Sequence, residues 1–287
     1  GFAGTVEDPF GSFGCLMLVG VFFARKLYRM NLLTLGDFFR KRFGPNVELL
    51  TSLVIMASYL GWIAAQLTAL GVVFNVLSDG SISVTQGMLM GTAIVLVYTL
   101  FGGMWSVALT DTFQMAIIVI GLGYLTWLIG DMAGGPQKVL TQAASEGKFT
   151  FINSFDARDI VAFIGAAVTM MLGSIPQQDV YARVMSAKTE RIASHATIAG
   201  AIFYLGFCML PIFLTYAASI IDPAMVARYL AEDAQMILPH LIMERTPVFA
   251  QVLFFGALLS AIMSTASGTL LAPSVTFTEN VLKRFRP

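Results

Sequence analysis

The chain has little charge: 17 basic and 17 acidic residues make up only 12% of its 287 positions. A soluble domain typically carries about a quarter of its residues as charged ones, so this scarcity argues against a soluble globular protein. The formal net charge is zero, and no basic tract alternates with aromatic residues. Nothing in the composition therefore indicates a nucleic-acid partner.

Cysteine and histidine are just as scarce. Cys15 and Cys208 lie in apolar runs, and no CxxC or Cys/His spacing typical of a structural metal site occurs. The sequence also lacks HExxH and Gly-x-Ser-x-Gly motifs, so it does not predict an enzyme. Because the chain opens without a basic leader or an initiator Met and stops just after an apolar run, we expect a fragment.

What the sequence has instead is long apolar runs. Hydrophobic residues make up 57% of the chain, and the mean hydropathy is +0.78. Crossing a bilayer takes about 20 mostly apolar residues. Seven segments reach that length, near 9–28, 49–78, 84–102, 105–130, 159–187, 192–221 and 247–282. We therefore predict an all-α, polytopic membrane protein, with residues 1–287 forming a single transmembrane domain.

Loop composition predicts the orientation. If the 29–48 loop is cytoplasmic, twelve of the 17 basic residues fall on the cytoplasmic side, as the positive-inside rule requires. Residues 31–43 are amphipathic and should lie along the headgroups. The loops at 131–158 and 222–246 are then external, and the second contains a helix-like stretch, Pro223–Met236.

The fifth apolar segment carries a break at membrane depth. Gly173 and Pro176 are followed directly by two amides and a carboxylate, Gln177, Gln178 and Asp179. Freed backbone groups are tolerated in a membrane only where they line a cavity. We predict a helix that unwinds near Gly173–Pro176 and restarts, which exposes half-helix ends to a substrate or ion. A simple proline kink is the alternative.

Two further places carry oxygen atoms that suit a cation. Asp111 is an ionisable group in the uncharged fourth segment, which makes it a functional candidate, with a carboxylate hydrated from the cytoplasm as the alternative. In the last segment, the hydroxyls of Ser264 and Thr265 and the carbonyl of Ala261 can converge on one Na⁺. Close packing of small residues is the alternative there.

Four motifs, in order along the chain, resemble the sodium:solute symporter family. They are Leu35–Gly44 (LGDFFRKRFG), Gly102–Gln114 (GGMWSVALTDTFQ), Gly173–Ser186 (GSIPQQDVYARVMS) and Ala261–Ser267 (AIMSTAS). The third is similar to the branch that contains the high-affinity choline transporters. The resemblance implies a five-plus-five inverted-repeat core of the leucine-transporter type. Of that core the chain would supply the second to the eighth helices.

The resemblance also implies two ion sites. The family's principal sodium site is matched by the Ala261 carbonyl and the Ser264 and Thr265 hydroxyls. A second sodium site, found in some members, is matched by Asp111, Ser264 and Ser267. Gly268 stands where that second site has a serine.

A solute cavity is implied as well. Trp62 matches an aromatic residue that lines the cavity in the choline branch, and Gln66 follows one turn later. Gln177 and Ser12 stand where that branch has tryptophan and tyrosine, so most of the aromatic cage for a quaternary ammonium is missing. This favours a smaller polar solute bound by Gln177, Gln178 and Ser12.

The implied activity is sodium-coupled symport of a small polar organic solute across the cell inner (plasma) membrane, with Na⁺ as the coupling ion. Alternating access would be the mechanism. The alternative from another class is a membrane-embedded solute-sensing module fused to a kinase. Nothing in these residues separates the two.

Overall fold

A computed structural model describes the backbone of residues 1–152 and 156–285, together with their side chains except at 102–104, 106 and 285. Every regular element in these ranges is helical, which confirms the all-α class. In chain order the helices are α1 (Val6–Met30), α2 (Leu35–Phe43), α3 (Pro45–Leu77), α4 (Val84–Met132), α5 (Pro136–Ser145), α6 (Ala157–Gly173), α7 (Gln178–Met185), α8 (Glu190–Ile221), α9 (Pro223–Glu232), α10 (Ile237–Arg245) and α11 (Val248–Leu282).

Six helical stretches of the described chain are long and apolar enough to cross a membrane, and the bent pair α6–α7 raises this to as many as seven. Helix α4 contains two of the six, Val84–Phe101 and Val107–Met132. The seven predicted segments match these stretches in order. Helical structure continues from Val84 to Met132. No turn therefore separates the two predicted segments 84–102 and 105–130 in the described backbone.

The chain divides into two compact units. Unit one contains Gly1 and residues 66–150 and 208–266, and unit two contains residues 2–65, 151–207 and 267–287. Both units contain large exposed apolar side chains. In unit one, Phe101 is 89% and Trp105 is 86% exposed. Apolar side chains at that degree of exposure are stable next to lipid and would be a liability in water.

Close helix packing in unit two depends on small residues in α1. A Cβ at Gly11 would lie 3.0 Å from the Cβ of Met170, and one at Gly14 would lie 2.8 Å from the sulfur of Met171. Both methionines belong to α6, so glycine lets the two backbones approach closely, as is common between membrane helices. This packing holds Ser12, the first residue after Gly11, in the layer next to α6.

Helix α2 begins with a capping box. The Thr34 hydroxyl accepts a hydrogen bond from the Asp37 N–H at 3.1 Å, and the Asp37 carboxylate accepts one from the Thr34 N–H at 3.0 Å. The first turn of α2 also packs against the end of α11, where a Cβ at Gly36 would meet the Asn280 side chain at 2.6 Å. Basic residues occupy its last turn. One end of this amphipathic helix is thus held by protein.

The helix after α8 is shorter than predicted. The sequence predicts a helix-like stretch from Pro223 to Met236, whereas α9 ends at Glu232. Asp233 adopts an extended backbone, and its carboxylate accepts a hydrogen bond from the Gln235 N–H at 3.0 Å. This local cap starts a new short turn and ends α9, because aspartate competes with the helix for backbone donors.

Candidate functional site

The predicted break in the fifth span is present. Helix α6 ends at Gly173, α7 begins at Gln178, and the axes of the two helices differ by 45°. Two turn-type backbone bonds join the ends: the Ile175 N–H donates to the Leu172 carbonyl and the Gln177 N–H to the Ser174 carbonyl, both at 3.3 Å. The span is therefore a helix that stops and restarts, which goes beyond a proline kink.

Gln177 lies at the restart, where its backbone caps α7 in an extended conformation. Its side chain makes no capping hydrogen bond to the helix and is half-buried. Gln178 differs, since it is 1% exposed. Its amide oxygen accepts a bond from the Leu35 N–H at 2.9 Å, and its amide nitrogen donates to the Leu33 carbonyl at 3.4 Å. Both hydrogen-bond partners of the Gln178 side chain are thus backbone groups at the start of α2.

The other proposed solute residues of unit two are Ser12 and Trp62. Both are half-buried. The ring of Trp62 stacks on that of Tyr59, with centroids 5.9 Å apart and an angle of 27° between the planes. Gln66 is one turn after Trp62 in α3, is also half-buried, and belongs to unit one.

In unit one, two of the predicted ion ligands from different helices are in contact: the Ser264 hydroxyl donates to Asp111 Oδ1 at 2.6 Å. The Thr265 hydroxyl donates to the Ala261 carbonyl at 3.0 Å within α11, and Ser267 belongs to unit two. Tyr98 of α4 donates to the Met263 carbonyl at 2.8 Å, in the same turn of α11. Hydroxyl, carboxylate and carbonyl oxygens from α4 and α11 therefore face one another within apolar helices.

The chemistry of these atoms suits a hard monovalent cation. All the named ligand atoms are oxygens, as Na⁺ prefers, and the described residues contain no cluster of three His, Cys, Asp or Glu side chains that would favour a transition metal. A single carboxylate supplies one negative charge. Placing an ionisable group inside an apolar span costs free energy. Such groups are therefore usually paired and usually mark a functional site.

The region after Ser264 contains one departure from the family pattern, Gly268. Ser267 is fully buried, and the next residue, Gly268, lies against the guanidinium of Arg183. A Cβ at position 268 would approach Arg183 Nη2 to 3.1 Å. A serine side chain would require this guanidinium, which lies at the end of a flexible side chain, to move by a few tenths of an ångström.

Comparison with known proteins agrees with these features. The profile of the "Sodium:solute symporter family" matches residues 9–287. High-affinity choline transporter 1 of Drosophila melanogaster is 28% identical over 286 residues, which are 96% of this chain and 45% of that protein. The sodium/proline symporter of Haemophilus influenzae is 28% identical over 272 residues, which are 89% of this chain and 52% of that protein. The chain thus spans about half the length of the curated relatives that it matches.

A solved structure has the same fold. The substrate-bound, outward-open state of a Na⁺-coupled sialic acid symporter superposes with a TM-score of 0.76 over 98% of this chain and 60% of that one, at 20% sequence identity. At this identity the likeness establishes the fold alone. Together with the family match along almost the whole chain, it shows that this protein belongs to the sodium:solute symporter family.

Proposed function

We propose that this chain is part of the core of a sodium-coupled symporter that carries a small polar organic solute across the plasma membrane by alternating access. The observation that carries the proposal is the hydrogen bond that joins the Ser264 hydroxyl to the Asp111 carboxylate inside apolar helices, in the turn of α11 that also contains Thr265. Membership in a family of symporters supports it. A broken span is typical of transporters, in which the half-helix ends bind a substrate or an ion.

Sodium would bind to the carbonyl of Ala261 and the hydroxyls of Ser264 and Thr265. The Thr265 hydroxyl and the Ala261 carbonyl are already 3.0 Å apart, so both oxygens can turn to one ion with little movement. Asp111 would supply the negative charge for a second ion, with the hydroxyl of Ser264 as a further ligand. Ser264 donates a hydrogen bond to this carboxylate, so the two oxygens lie side by side.

The solute would be bound by polar side chains near the break. Gln177 is the first candidate, because its amide makes no capping bond to α7. Ser12 and Trp62, which belong to the same unit, would supply a hydroxyl and a flat apolar surface. The Gln178 amide is already hydrogen-bonded to the backbone at the start of α2. Gln178 would therefore contact solute only after these bonds rearrange.

The driving force is sufficient with a single coupled ion. Moving one positive charge through 100 mV supplies about 2.3 kcal/mol. A tenfold sodium gradient adds about 1.4 kcal/mol. Together these amount to a solute accumulation of roughly 500-fold per ion at full coupling. One sodium site at Ala261, Ser264 and Thr265 therefore meets the energetic requirement.

Uptake by the full-length protein tests the proposal. Proteoliposomes would be loaded with potassium, diluted into sodium or potassium buffer, and supplied with labelled choline, proline, other neutral amino acids or neutral sugars. We expect at least one solute to accumulate transiently when sodium is outside, and a sodium ionophore to abolish the accumulation. Uptake that is equal in sodium and potassium across the whole panel would refute sodium coupling.

A further inference from the structure

Tyr59 makes two hydrogen bonds with a single residue of the broken span. Its hydroxyl donates to Asp179 Oδ1 at 2.6 Å and accepts from the Asp179 N–H at 3.1 Å. Tyr59 is 3% exposed, so both bonds are shielded from solvent and lipid. Tyr59 belongs to α3 and Asp179 to α7, and both lie in unit two.

The bond from the Asp179 N–H has a specific structural role. Asp179 is the second residue of α7, and the first N–H groups of a helix have no acceptor within that helix. A Ser, Thr, Asp or Asn just before the helix usually supplies the acceptor. Here the residue in that position is Gln177, whose side chain makes no such bond. The Tyr59 oxygen takes over the capping role from another helix.

The carboxylate of Asp179 strengthens the same contact. A negative side chain in the first turn of a helix is stabilised by the helix dipole. Arg183, one turn later, lies 3.5 Å from Asp179 Oδ2, so the two carboxylate oxygens have different partners. Tyr59 therefore meets a carboxylate whose direction is fixed by its own helix.

Tyr59 also contacts the proposed solute cavity. Its ring stacks on Trp62, one turn along α3, with 5.9 Å between the centroids. Its hydroxyl meets the restart of α7 two residues after Gln177. One side chain thus touches both a proposed aromatic wall of the cavity and the turn that presents the Gln177 amide.

The remaining contacts of α7 run in a different direction. Gln178 bonds to the backbone of Leu33 and Leu35, and the Tyr181 hydroxyl donates to the Leu32 carbonyl at 2.7 Å. These bonds fasten α7 to the segment before α2 and involve no aromatic ring of α3. Tyr181 is as buried as Tyr59, at 1% exposure, and loses one hydroxyl in the same substitution. It is therefore a matched control.

We propose that Tyr59 is a positioning residue for solute binding: its hydroxyl caps α7 and fixes the restart of the broken span, and with it Gln177, against Trp62. The inference rests on the proposed function, since it concerns the affinity of the same solute site. It assigns Tyr59 no contact with sodium. Loss of the hydroxyl should therefore separate solute affinity from sodium affinity.

The test compares Tyr59→Phe with Tyr181→Phe in the full-length protein. For Tyr59→Phe we expect the solute KM to rise about tenfold, which corresponds to about 1.4 kcal/mol, while the sodium concentration for half-maximal uptake stays the same. Tyr181→Phe should lower thermal stability and leave the KM unchanged. An unchanged KM in Tyr59→Phe would overturn the proposal. A parallel loss of solute and sodium affinity, or the same KM change in Tyr181→Phe, would also overturn it.

A second variant and a second readout keep the test decisive. Asp179→Asn retains an oxygen acceptor and the backbone N–H, so its KM should stay near that of the native protein, whereas Asp179→Leu should behave like Tyr59→Phe. Hydrogen exchange of the 178–181 amides should accelerate in Tyr59→Phe, because the cap is lost. If the native protein moves no solute with sodium, the proposed function fails, and exchange at 178–181 still decides whether Tyr59 caps α7.

Discussion

The Ser264 hydroxyl lies 2.6 Å from Asp111 Oδ1 and donates a hydrogen bond to it, across 153 positions of sequence. The bond joins α4 to α11 inside unit one. Without a donor, a carboxylate in an apolar span would pay a large desolvation cost. The contact explains how this acidic side chain is accommodated and places it next to the proposed ion ligands.

A double-mutant cycle measures this contact. Ser264→Ala and Asp111→Ala, each of which removes one partner of the bond, should each reduce thermal stability in sodium-free detergent, and the double variant should lose less than the sum of the two. We expect a coupling energy of about 1–2 kcal/mol. Additive losses in the cycle would mean that the two groups do not interact in the folded protein.

Gln177→Ala should weaken solute binding. Removing the amide from the restart of the broken span deletes donors and an acceptor for a polar solute, and it deletes none of the oxygens assigned to sodium. The solute KM should rise about tenfold, the loss expected for one good hydrogen bond in a shielded site. Gln142→Ala, at a half-buried position of α5 like that of Gln177, serves as the control. A larger change in sodium affinity than in solute affinity would contradict the assignment.

Asn280 organises a buried polar cluster at the end of α11. Its amide nitrogen donates to Asp37 Oδ1 at 3.0 Å and to Glu48 Oε1 at 2.9 Å, and its amide oxygen accepts from the Thr34 hydroxyl at 2.7 Å. The Glu48 side chain is only 3% exposed. Asn280→Leu would therefore leave buried oxygens without their donor.

We expect Asn280→Leu to lower the free energy of unfolding by about 2–4 kcal/mol, because a buried carboxylate that loses its partner is costly. Asn280→Asp should destabilise at least as much, since it adds a third carboxylate to the cluster. Thermal unfolding of the purified protein is the measurement, with the exposed Thr278→Ala as control. Equal melting temperatures for the native protein and Asn280→Leu would show that the cluster contributes no stability.

Acid should loosen the segment after α8. The Met225 N–H, and next the Arg245 guanidinium at 2.8 Å, hold the pKa of Asp222 below its ordinary value. A lowered pKa means that the folded form binds fewer protons than the unfolded form. The resulting stabilisation is complete above the unfolded pKa of about 3.9. It disappears as the pH falls through the lower, folded value.

Hydrogen exchange of residues 222–246, corrected for the intrinsic effect of pH, tests this. Protection should be constant from neutral pH to about 5 and should fall below about 4. In Asp222→Asn the amide cannot titrate, so the step in protection should be absent. A step of the same size in Asp222→Asn would assign the titration to another group.

Much of the fold could be predicted from sequence because the bilayer simplifies the problem. A spanning helix needs a long apolar run, and such runs between Glu190 and Ile221 or between Val248 and Leu282 have no other stable environment. The break at Gly173–Pro176 could be predicted for the same reason. Residues that interrupt a helix at membrane depth are tolerated only where the freed backbone groups find partners.

The contacts that organise the site could not be predicted in this way. Tyr59 and Asp179 are 120 positions apart, and Asn280 meets Glu48 across 232. In a hydropathy profile Tyr59 is one more aromatic residue of an apolar span, and Asn280 is one more polar residue at a helix end. The sequence does show that Asp179 needs a hydrogen-bond donor, because it is a carboxylate next to a helix break. Its partner depends on tertiary packing.

The central claim is that the Thr265 hydroxyl binds sodium, and one substitution tests it directly. The sodium concentration for half-maximal uptake would be measured for the native full-length protein, Thr265→Ala and Thr126→Ala. Thr126 is the matched control, because its hydroxyl also bonds to the carbonyl four residues earlier, at 2.7 Å, in another span of unit one. We predict an increase of about tenfold or more in Thr265→Ala, the loss expected for one cation ligand, and a value close to the native one in Thr126→Ala. Native sodium dependence in Thr265→Ala, or an equal increase in both variants, would contradict the account.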